Sequence, residues 1–309
     1  MNMKYTAFVH TNEKQIIGAL VAQYAMRRHS RHGEKFDVRI IRAADHEFLG
    51  KYDGRHYLRD GAKRVWLYDD LQSFTPLRFM PPELMDYEGR ALVIDPDVFA
   101  AGDVWELLTR DMHEKAIVCR PRSGSKGRRG CLASSVMLLD CGKLLHWRCE
   151  EQFEEMFRFE RDYMEWISLK LEPRDSIQLF EHAWNDFDNL DAQTRLLHNT
   201  KRKTQPWKAG LKVDYFPPEK PGGSAALGWL YRQRRRLLGD YALMGRYAAH
   251  PDAKQEHLFF GLLRECLEEG IISEEMIRHQ MQRNHVRHDA IELLDRVPPV
   301  SETLASLRP

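Results

Sequence analysis

The sequence lacks the apolar segments that mark membrane-spanning and secreted proteins. It contains no uninterrupted run of 18 apolar residues, so no transmembrane helix is expected. The first residues, MNMKYTAFVHTNEKQ, reach the polar residues Asn12 and Glu13 before the apolar region of a signal peptide can form. We therefore expect a cytoplasmic protein, and its location at the inner face of a membrane is a further expectation.

Cysteine is scarce, and its spacing argues against the common cysteine-based sites. The five cysteines include no C-x-x-C pair, which is the spacing of many zinc and redox sites, and their number is odd. Free thiols in a reducing compartment are the simplest interpretation. The sequence also lacks the motif G-x-x-x-x-G-K-[ST], which argues against a P-loop nucleotide triphosphatase.

An excess of charge of one sign is lacking as well. The 47 lysines and arginines nearly balance the 46 aspartates and glutamates, so the net charge is +1. This balance predicts no nucleic-acid partner. Two segments are nevertheless basic, the loop 120–130 (RPRSGSKGRRG) and residues 229–236 (WLYRQRRR). The first is interpreted as a surface loop or as a cover for a diphosphate, and the second as a solvated helix face or a peripheral membrane contact.

Apolar residues, at 43% of the chain, are plentiful enough for a packed core. Short apolar runs alternate with amphipathic segments over the first 140 residues, which predicts an α/β fold with a mostly parallel sheet. The expected strands are 5–10, 36–41, 65–68, 91–94, 116–119, 135–139, 177–180 and 195–198. The expected helices of this part are 15–28, 78–85, 103–111 and 150–171.

The composition changes after residue 216. Residues 217–224 (PPEKPGGS) are typical of a linker, and the chain beyond them has the pattern of helices. The expected helices are 225–248, 253–269 and 274–296, the last with Ser273 as its N-cap. We therefore predict an α/β catalytic domain, 1–216, and a helical C-terminal region, 217–309. The second region would contact an acceptor, a membrane or another subunit of a homo-oligomer.

Two aspartates follow the apolar run 91–94 directly. Ligands of open α/β sheets bind beyond the carboxyl ends of the strands, where Asp95 is expected. Asp97 is two residues further on, so both carboxylates can project toward one point. Such oxygen ligands suit Mg²⁺ or Mn²⁺, with diphosphate oxygens completing the shell. Turns with two aspartates are common, however, and an ordinary turn is the alternative.

Five segments occur in the same order as motifs of the glycogenin-like glycosyltransferases of family eight. FVHTNEKQIIGALVAQYAMRRH resembles the first strand and helix of that family. FTPLRFMPPELMDYEGRALVIDPDVFAAGDVWELL resembles its central segment with the Asp-x-Asp pair, and ASSVMLLD, WNDFD and HNTKRKTQPWKAG resemble three later elements. The resemblance spans residues 5–210.

The resemblance implies a GT-A-type fold and transfer of a sugar from a UDP-sugar to a carbohydrate, glycolipid or protein acceptor. It also implies retention of the anomeric configuration and dependence on Mn²⁺, with Mg²⁺ as the alternative. Asp95, Asp97 and His198 match the metal ligands of the family, and neutral imidazole suits Mn²⁺. Arg78 matches the arginine near the donor phosphates, where a guanidinium fits phosphate oxygens.

The nucleotide end of the predicted site departs from the family pattern. Where the family has an aspartate and an aromatic residue after the first strand, this chain has His10, Thr11 and Asn12. We expect Thr11 and Asn12 to hydrogen-bond the donor. Ala133 replaces the asparagine of a later motif, and the following Ser134 is assigned to donor binding.

The phosphate end departs from the pattern too. Gln205 stands where the family has the lysine of its lysine-proline-tryptophan element. Lys201, Lys203 or Lys208 would then supply the lost charge, and Lys203 and Lys208 are assigned to donor binding. Asp162, within the expected helix 150–171, is the carboxylate predicted near the donor sugar; a charge on a solvated helix face is the alternative.

Two other functions compete with sugar transfer. The replaced asparagine and lysine also fit a catalytically inactive relative that binds a partner or serves as a scaffold. A nucleotidyltransferase on a similar fold would normally show a glycine-rich basic signature after the first strand, where this chain has TNEKQ. The presence of Asp95, Asp97 and His198 together favours the enzyme.

Overall fold

A computed structural model describes residues 3–122, 131–215, 230, 237 and 245–308. The strands are β1 (Tyr5–Thr11), β2 (Asp37–Arg42), β3 (His56–Arg59), β4 (Ala62–Val65), β5 (Arg90–Ile94), β6 (Val98–Ala100), β7 (Ile117–Pro121), β8 (Leu132–Asp140), β9 (Ile177–Leu179), β10 (Asp186–Phe187) and β11 (Leu196–His198). The helices are α1 (Ile16–His29), α2 (Glu47–Lys51), α3 (Pro81–Leu84), α4 (Trp105–Leu108), α5 (Cys149–Phe157), α6 (Tyr163–Ile167), α7 (Ala253–Glu268), α8 (Glu274–Gln282), α9 (Ala290–Arg296) and α10 (Val300–Ala305).

The centre of the fold is a six-stranded sheet with the order β2-β1-β5-β8-β7-β9. Strands β2, β1 and β5 are parallel, as are β7 and β9, whereas β8 runs antiparallel to both of its neighbours. The sheet is therefore mostly parallel, as predicted. A second, small sheet has the order β10-β11-β6, and β3 and β4 form a hairpin.

Apolar side chains cover both faces of the central sheet. Along β1, Ala7 and Val9 belong to one buried cluster and Phe8 belongs to another, because successive side chains of a strand point to opposite faces. The first cluster includes apolar residues of α1 and α7, and the second includes those of α5 and the hairpin. Helices therefore flank the sheet on both sides, which is the expected α/β architecture.

The C-terminal helices share the first of these clusters. Phe259 of α7 packs against Trp207 and Phe99, with ring centroids 4.7 Å and 5.3 Å away. Glu265 of α7 accepts a 2.9 Å hydrogen bond from Arg28 of α1. The domain boundary predicted at residue 216 lies outside the described residues, as do the basic loop residues 123–130 and most of the helix predicted at 225–248.

Several helices are shorter than predicted. The expected helix 150–171 is two helices, α5 and α6, because the backbone at Phe159 is left-handed with a φ of +63°. The expected helix 274–296 is likewise divided into α8 and α9 by Asn284, with a φ of +58°. Ser273 caps α8 as predicted and accepts a hydrogen bond from the Met276 N–H. The helix expected at 103–111 is also shorter in the structure, where only α4 forms.

Two further predictions near the start of the chain are wrong in their bounds. The strand expected at 65–68 is β4, which ends at Val65, and it pairs with β3 through a turn at Asp60 and Gly61. Both turn residues have positive φ, as a two-residue hairpin turn of type I′ requires. The expected helix 78–85 is a 3₁₀ turn, Thr75–Phe79, followed by α3.

Two other expectations concern cysteine and membrane spans. All five cysteines are free and buried. In the part of the chain that the structure describes, no helix combines the length and apolarity needed to cross a bilayer.

Candidate active site

The candidate site forms at the carboxyl end of β5, in the middle of the central sheet. Asp95 follows β5 directly, and its N–H donates to the carbonyl of Ser135 on β8, at 3.0 Å. Asp97 lies in the turn between β5 and β6. Strand β11 pairs with β6 so that His198 lies opposite Val98. The pairing of these strands therefore brings His198 next to Asp97, although the two are 101 residues apart in the sequence.

The three predicted metal ligands converge. One potential ligand atom from each of Asp95, Asp97 and His198 lies within 4.8 Å of the other two. Asp95 and His198 are buried, at 7% and 6% exposure. Two carboxylates and an imidazole gathered in this way are a donor set that suits Mn²⁺ or a similar divalent ion.

The orientation of His198 also fits a metal ligand. Its Nδ1 is 2.8 Å from Asn185 Oδ1, and the Asn185 amide in turn donates to Ser135 Oγ at 3.0 Å. Because an amide oxygen only accepts, Nδ1 of His198 carries a proton, and in the neutral ring the lone pair is on Nε2. This contact fixes the tautomer that a metal ligand needs.

Asp97 provides the test of whether the residues fit an ion. Its Oδ1 is buried and has no hydrogen-bond partner, although His198 Nε2 is only 3.2 Å away. An unpaired buried carboxylate oxygen facing a histidine lone pair is unfavourable unless a cation lies between them. The donor set therefore fits a divalent cation.

Arg78 binds the other aspartate. Its Nε and terminal nitrogen donate to the two carboxylate oxygens of Asp95 at 2.9 Å and 2.5 Å, and its remaining nitrogen donates to Ser134 Oγ at 2.9 Å. His10 lies on the same carboxylate, with Nε2 2.9 Å from Oδ1. Arg78, Ser134 and Asp95, all predicted for donor binding, are thus one buried cluster, and it includes His10, whose contact with Asp95 the sequence did not predict.

The charges of this cluster set its protonation. Burial would raise the pKa of Asp95, but Arg78 and then His10 more than offset it, so that pKa is well below its ordinary value. Burial lowers the pKa of His10, and the hydrogen bond with Asp95 offsets this only in part. At neutral pH the cluster therefore holds an ionised Asp95 and a neutral His10.

The side chains predicted to bind the nucleotide are already occupied within the protein. Thr11 is buried, and its hydroxyl donates to the Asn12 carbonyl at 3.0 Å. The Asn12 amide donates to the Asp70 carbonyl at 3.1 Å and to Ser73 Oγ at 3.2 Å. These contacts join the end of β1 to the loop before the 3₁₀ turn, so Asn12 shapes this edge of the site. Donor binding by either residue stays a prediction.

The two assigned lysines differ in their surroundings. Lys208 is fully buried, and its ammonium lies 2.9 Å from Asp214 Oδ2. Burial lowers the pKa of Lys208, and Asp214 offsets part of that effect. Lys203 is exposed. Lys208 is therefore used in an internal ion pair, which leaves Lys203 as the assigned lysine that solvent reaches.

Asp162 is held by the backbone around it. Its Oδ1 accepts from the N–H groups of Met164 and Glu165 at the start of α6, and its Oδ2 accepts from Gly61 of the hairpin turn at 2.8 Å. Burial would raise its pKa, but these N–H groups, that of Gly61 foremost, more than offset it. The solvated helix face considered as the alternative is wrong, because Asp162 is the cap of α6. Its catalytic role stays a prediction.

Gln205 is the second site residue that the sequence left without a role. Its amide donates to Asp97 Oδ2 at 3.0 Å. The motif resemblance marked this position as a replaced lysine, but it gave no sign that the new side chain would bond to an aspartate of the Asp-x-Asp pair.

No protein-family model matches the sequence, and no curated protein matches it either. Several solved structures that resemble it are described as glycosyltransferases. The apo form of GlyE from Streptococcus pneumoniae TIGR4 has 14% identity and a TM-score of 0.47, over 87% of this chain and 64% of GlyE. The bifunctional WbbM apo structure has 10% identity and a TM-score of 0.47, over 68% and 48%.

A third similar structure is the galactosyltransferase LgtC in complex with donor and acceptor sugar analogs. It has 10% identity and a TM-score of 0.45, over 65% of this chain and 89% of LgtC. This chain thus spans less than two thirds of the length of GlyE and about half of WbbM. The assignment to family eight stays a prediction.

Proposed function

We propose that the protein is a metal-dependent glycosyltransferase that moves a sugar from a nucleotide-sugar, a UDP-sugar by the motif resemblance, to a hydroxyl of an acceptor. The convergence of Asp95, Asp97 and His198, with one Asp97 oxygen buried and unpaired, carries this proposal. The order of five sequence motifs supports it independently. The acceptor is a carbohydrate, a glycolipid or a protein.

The difficulty in glycosyl transfer is the charge that develops on the leaving diphosphate. A divalent ion held by Asp95, Asp97 and His198, Mn²⁺ or Mg²⁺, supplies positive charge for that group. Arg78 adds a planar guanidinium, which fits phosphate oxygens, and Ser134 fixes one of its nitrogens. The acceptor oxygen bonds to the anomeric carbon as the bond to the diphosphate breaks, and a phosphate oxygen takes the acceptor proton.

The charge of the site is consistent with an anionic ligand that arrives together with a cation. Asp95 and Asp97 contribute two negative charges and Arg78 one positive charge, so the protein groups leave one negative charge in excess. A divalent ion reverses that sign. The site would then attract a diphosphate, whereas without the ion it would repel one.

Thermal unfolding with a panel of nucleoside diphosphates and nucleotide-sugars, each with and without Mn²⁺, tests the proposal. A ligand at 100 times its dissociation constant adds about 2.7 kcal/mol, which moves the midpoint of a chain of this length by about 4 °C. We expect a shift that requires both Mn²⁺ and one nucleotide. Asp97→Asn should lose it, because one ligand charge is gone.

Asp103→Asn is the matched control. This aspartate accepts from the Trp105 N–H at 2.9 Å, a contact that asparagine keeps, and it is outside the metal cluster. Its variant should shift as the wild type does. An equal shift without Mn²⁺ would contradict metal dependence. No shift with any nucleotide would favour the inactive binding protein and overturn the proposal.

A further inference from the structure

Gln205 lies beside Asp97, one of the three proposed metal ligands, and the local backbone fixes its position. It joins two 3₁₀ turns, Arg202–Thr204 and Pro206–Lys208, and its carbonyl accepts from the Lys208 N–H at 3.0 Å. Trp207, two residues further along the chain, packs against α7. Gln205 itself is 1% exposed. Its amide therefore cannot turn to solvent without moving a packed segment.

The contact with Asp97 fixes the orientation of the amide. Gln205 Nε2 is 3.0 Å from Asp97 Oδ2, and a carboxylate accepts hydrogen bonds but does not donate them. The amide nitrogen must therefore face Asp97. The amide oxygen, Oε1, is then buried without a donor in the described part of the chain.

Two hydrogen-bond acceptors without a donor consequently lie on two side chains that are hydrogen-bonded to each other. Asp97 Oδ1 and Gln205 Oε1 are both buried and both without a partner. A buried acceptor without a donor or a cation lowers the stability of the fold. Among the described residues no lysine or arginine is paired with Asp97, because Arg78 binds Asp95 instead. A cation bound between these side chains would satisfy both oxygens and would balance the charge of Asp97.

We infer that Gln205 Oε1 is a fourth protein ligand for the divalent ion, beside Asp95, Asp97 and His198. This inference rests on the proposed function and deepens it. Amide oxygens are common ligands of hard cations alongside carboxylates. With four protein ligands the site holds Mn²⁺ before a nucleotide arrives, and the replacement of the expected lysine by glutamine removes a positive charge that would oppose this binding.

Binding of Mn²⁺ alone, measured by electron paramagnetic resonance in the absence of nucleotide, tests the inference on Gln205→Met and Gln205→Glu. Methionine keeps the volume but offers no oxygen, so the dissociation constant should rise about tenfold or more. Glutamate keeps the oxygen and adds a charge, so the dissociation constant should fall.

The glutamate variant separates a ligand from a residue that only positions Asp97. If Gln205 acts solely through its N–H, both variants lose that donor and both weaken Mn²⁺ binding. Weaker binding in Gln205→Glu, or unchanged binding in Gln205→Met, would therefore overturn the inference. Failure of the wild type to bind Mn²⁺ at all would overturn the proposed function as well, so the two failures are distinguishable.

Gln152 on α5 provides a matched control. It is also buried, its amide donates to the His146 carbonyl at 3.1 Å, and its Oε1 has no partner either. It is outside the metal cluster, however. Gln152→Met and Gln152→Glu should leave the dissociation constant of Mn²⁺ unchanged, and the unfolding midpoint of all four variants without metal reports whether each is folded.

Discussion

The buried carboxylate of Asp95 is bound by a protein cation in the absence of metal. Arg78 contacts both of its oxygens, and His10 contacts one of them. Burying an ionised group is costly unless it is paired and hydrogen-bonded, so Arg78 stabilises the metal-free fold as well as the proposed reaction. A diphosphate would offer Arg78 a second anionic partner when an ion takes up Asp95.

Arg78→Met should destabilise the metal-free protein by about 3–5 kcal/mol, because it leaves Asp95 buried without its counter-ion. Urea unfolding in the presence of a chelator measures this loss. Arg278→Met is the matched control, since Arg278 forms a comparable pair with Glu274 on α8 but is 57% exposed. The control should change stability by about 0.5 kcal/mol or less. Equal losses in the two variants would contradict a buried pair.

Much of this site follows from the sequence, but its contacts do not. The position of Asp95 and Asp97 after an apolar run, and the motif order, predict Asp95, Asp97 and His198 as one group. That His198 reaches Asp97 depends on the pairing of β11 with β6, which linear motifs do not encode. The roles of His10 and Gln205 were missed for the same reason, because each depends on a side chain from a distant segment.

The break between α5 and α6 gives Asp162 its surroundings. Residues 158–162 (RFERD) contain no glycine or proline, and apolar residues at helical spacing lie on both sides, so the sequence pattern does not mark the break. In the structure the chain turns at Phe159, and Asp162 begins a new helix by accepting from the N–H groups of Met164 and Glu165. A third bond, from Gly61, joins this helix end to the hairpin.

Asp162→Ala should therefore lower stability by about 1–2 kcal/mol, because it removes a helix cap and a bond to the hairpin. Asp162→Asn should lose less, since its amide oxygen can still accept from the backbone. Ser273→Ala, at the cap of α8, is the comparison and should cost about 1 kcal/mol. Urea unfolding at neutral pH measures all three. A loss in Asp162→Asn as large as in Asp162→Ala would contradict the capping role.

Strands were predicted more accurately than helices, for physical reasons. The runs at β1 and β5 are apolar because both faces of the sheet are buried there, and such runs are visible in the sequence. Helix ends depend on backbone conformation, and the left-handed Phe159 carries no warning, whereas asparagine, as at Asn284, is a residue type that can end a helix in this conformation. The hairpin at Asp60 and Gly61 did have a signal, since Asp-Gly is a preferred two-residue turn.

At the scale of the whole molecule, the C-terminal helices and the sheet are expected to unfold together. Helix α7 contributes Phe259 and Phe260 to the same apolar cluster as α1 and β6, and Arg28 joins α1 to Glu265. Separating these parts would expose a continuous apolar surface. We therefore expect one cooperative unfolding transition. A single free energy of unfolding then describes the stability, and its dependence on pH can be measured.

Two histidines, the half-buried His29 and the buried His285, make that dependence specific. Burial, and then the neighbouring Arg28, lowers the pKa of His29 to about 4. Burial, and then Lys208, lowers the pKa of His285 to about 4 as well. In the unfolded chain both should titrate near 6.5. As the pH falls from 6.5 to 4, the unfolded chain therefore binds protons that the folded protein does not bind. The free energy of unfolding decreases in this pH range for that reason.

Each histidine should contribute a slope of up to about 1.4 kcal/mol per pH unit between pH 6.5 and 4. Urea unfolding of His29→Gln and His285→Gln at a series of pH values measures it, and the slope rather than the absolute stability is compared. Each variant should have a flatter profile than the wild type in this window, and His56→Gln, at an exposed strand position, should not. Parallel profiles in all four proteins would mean that His29 and His285 accept protons equally well in the folded and unfolded states, and would contradict the lowered pKa of each.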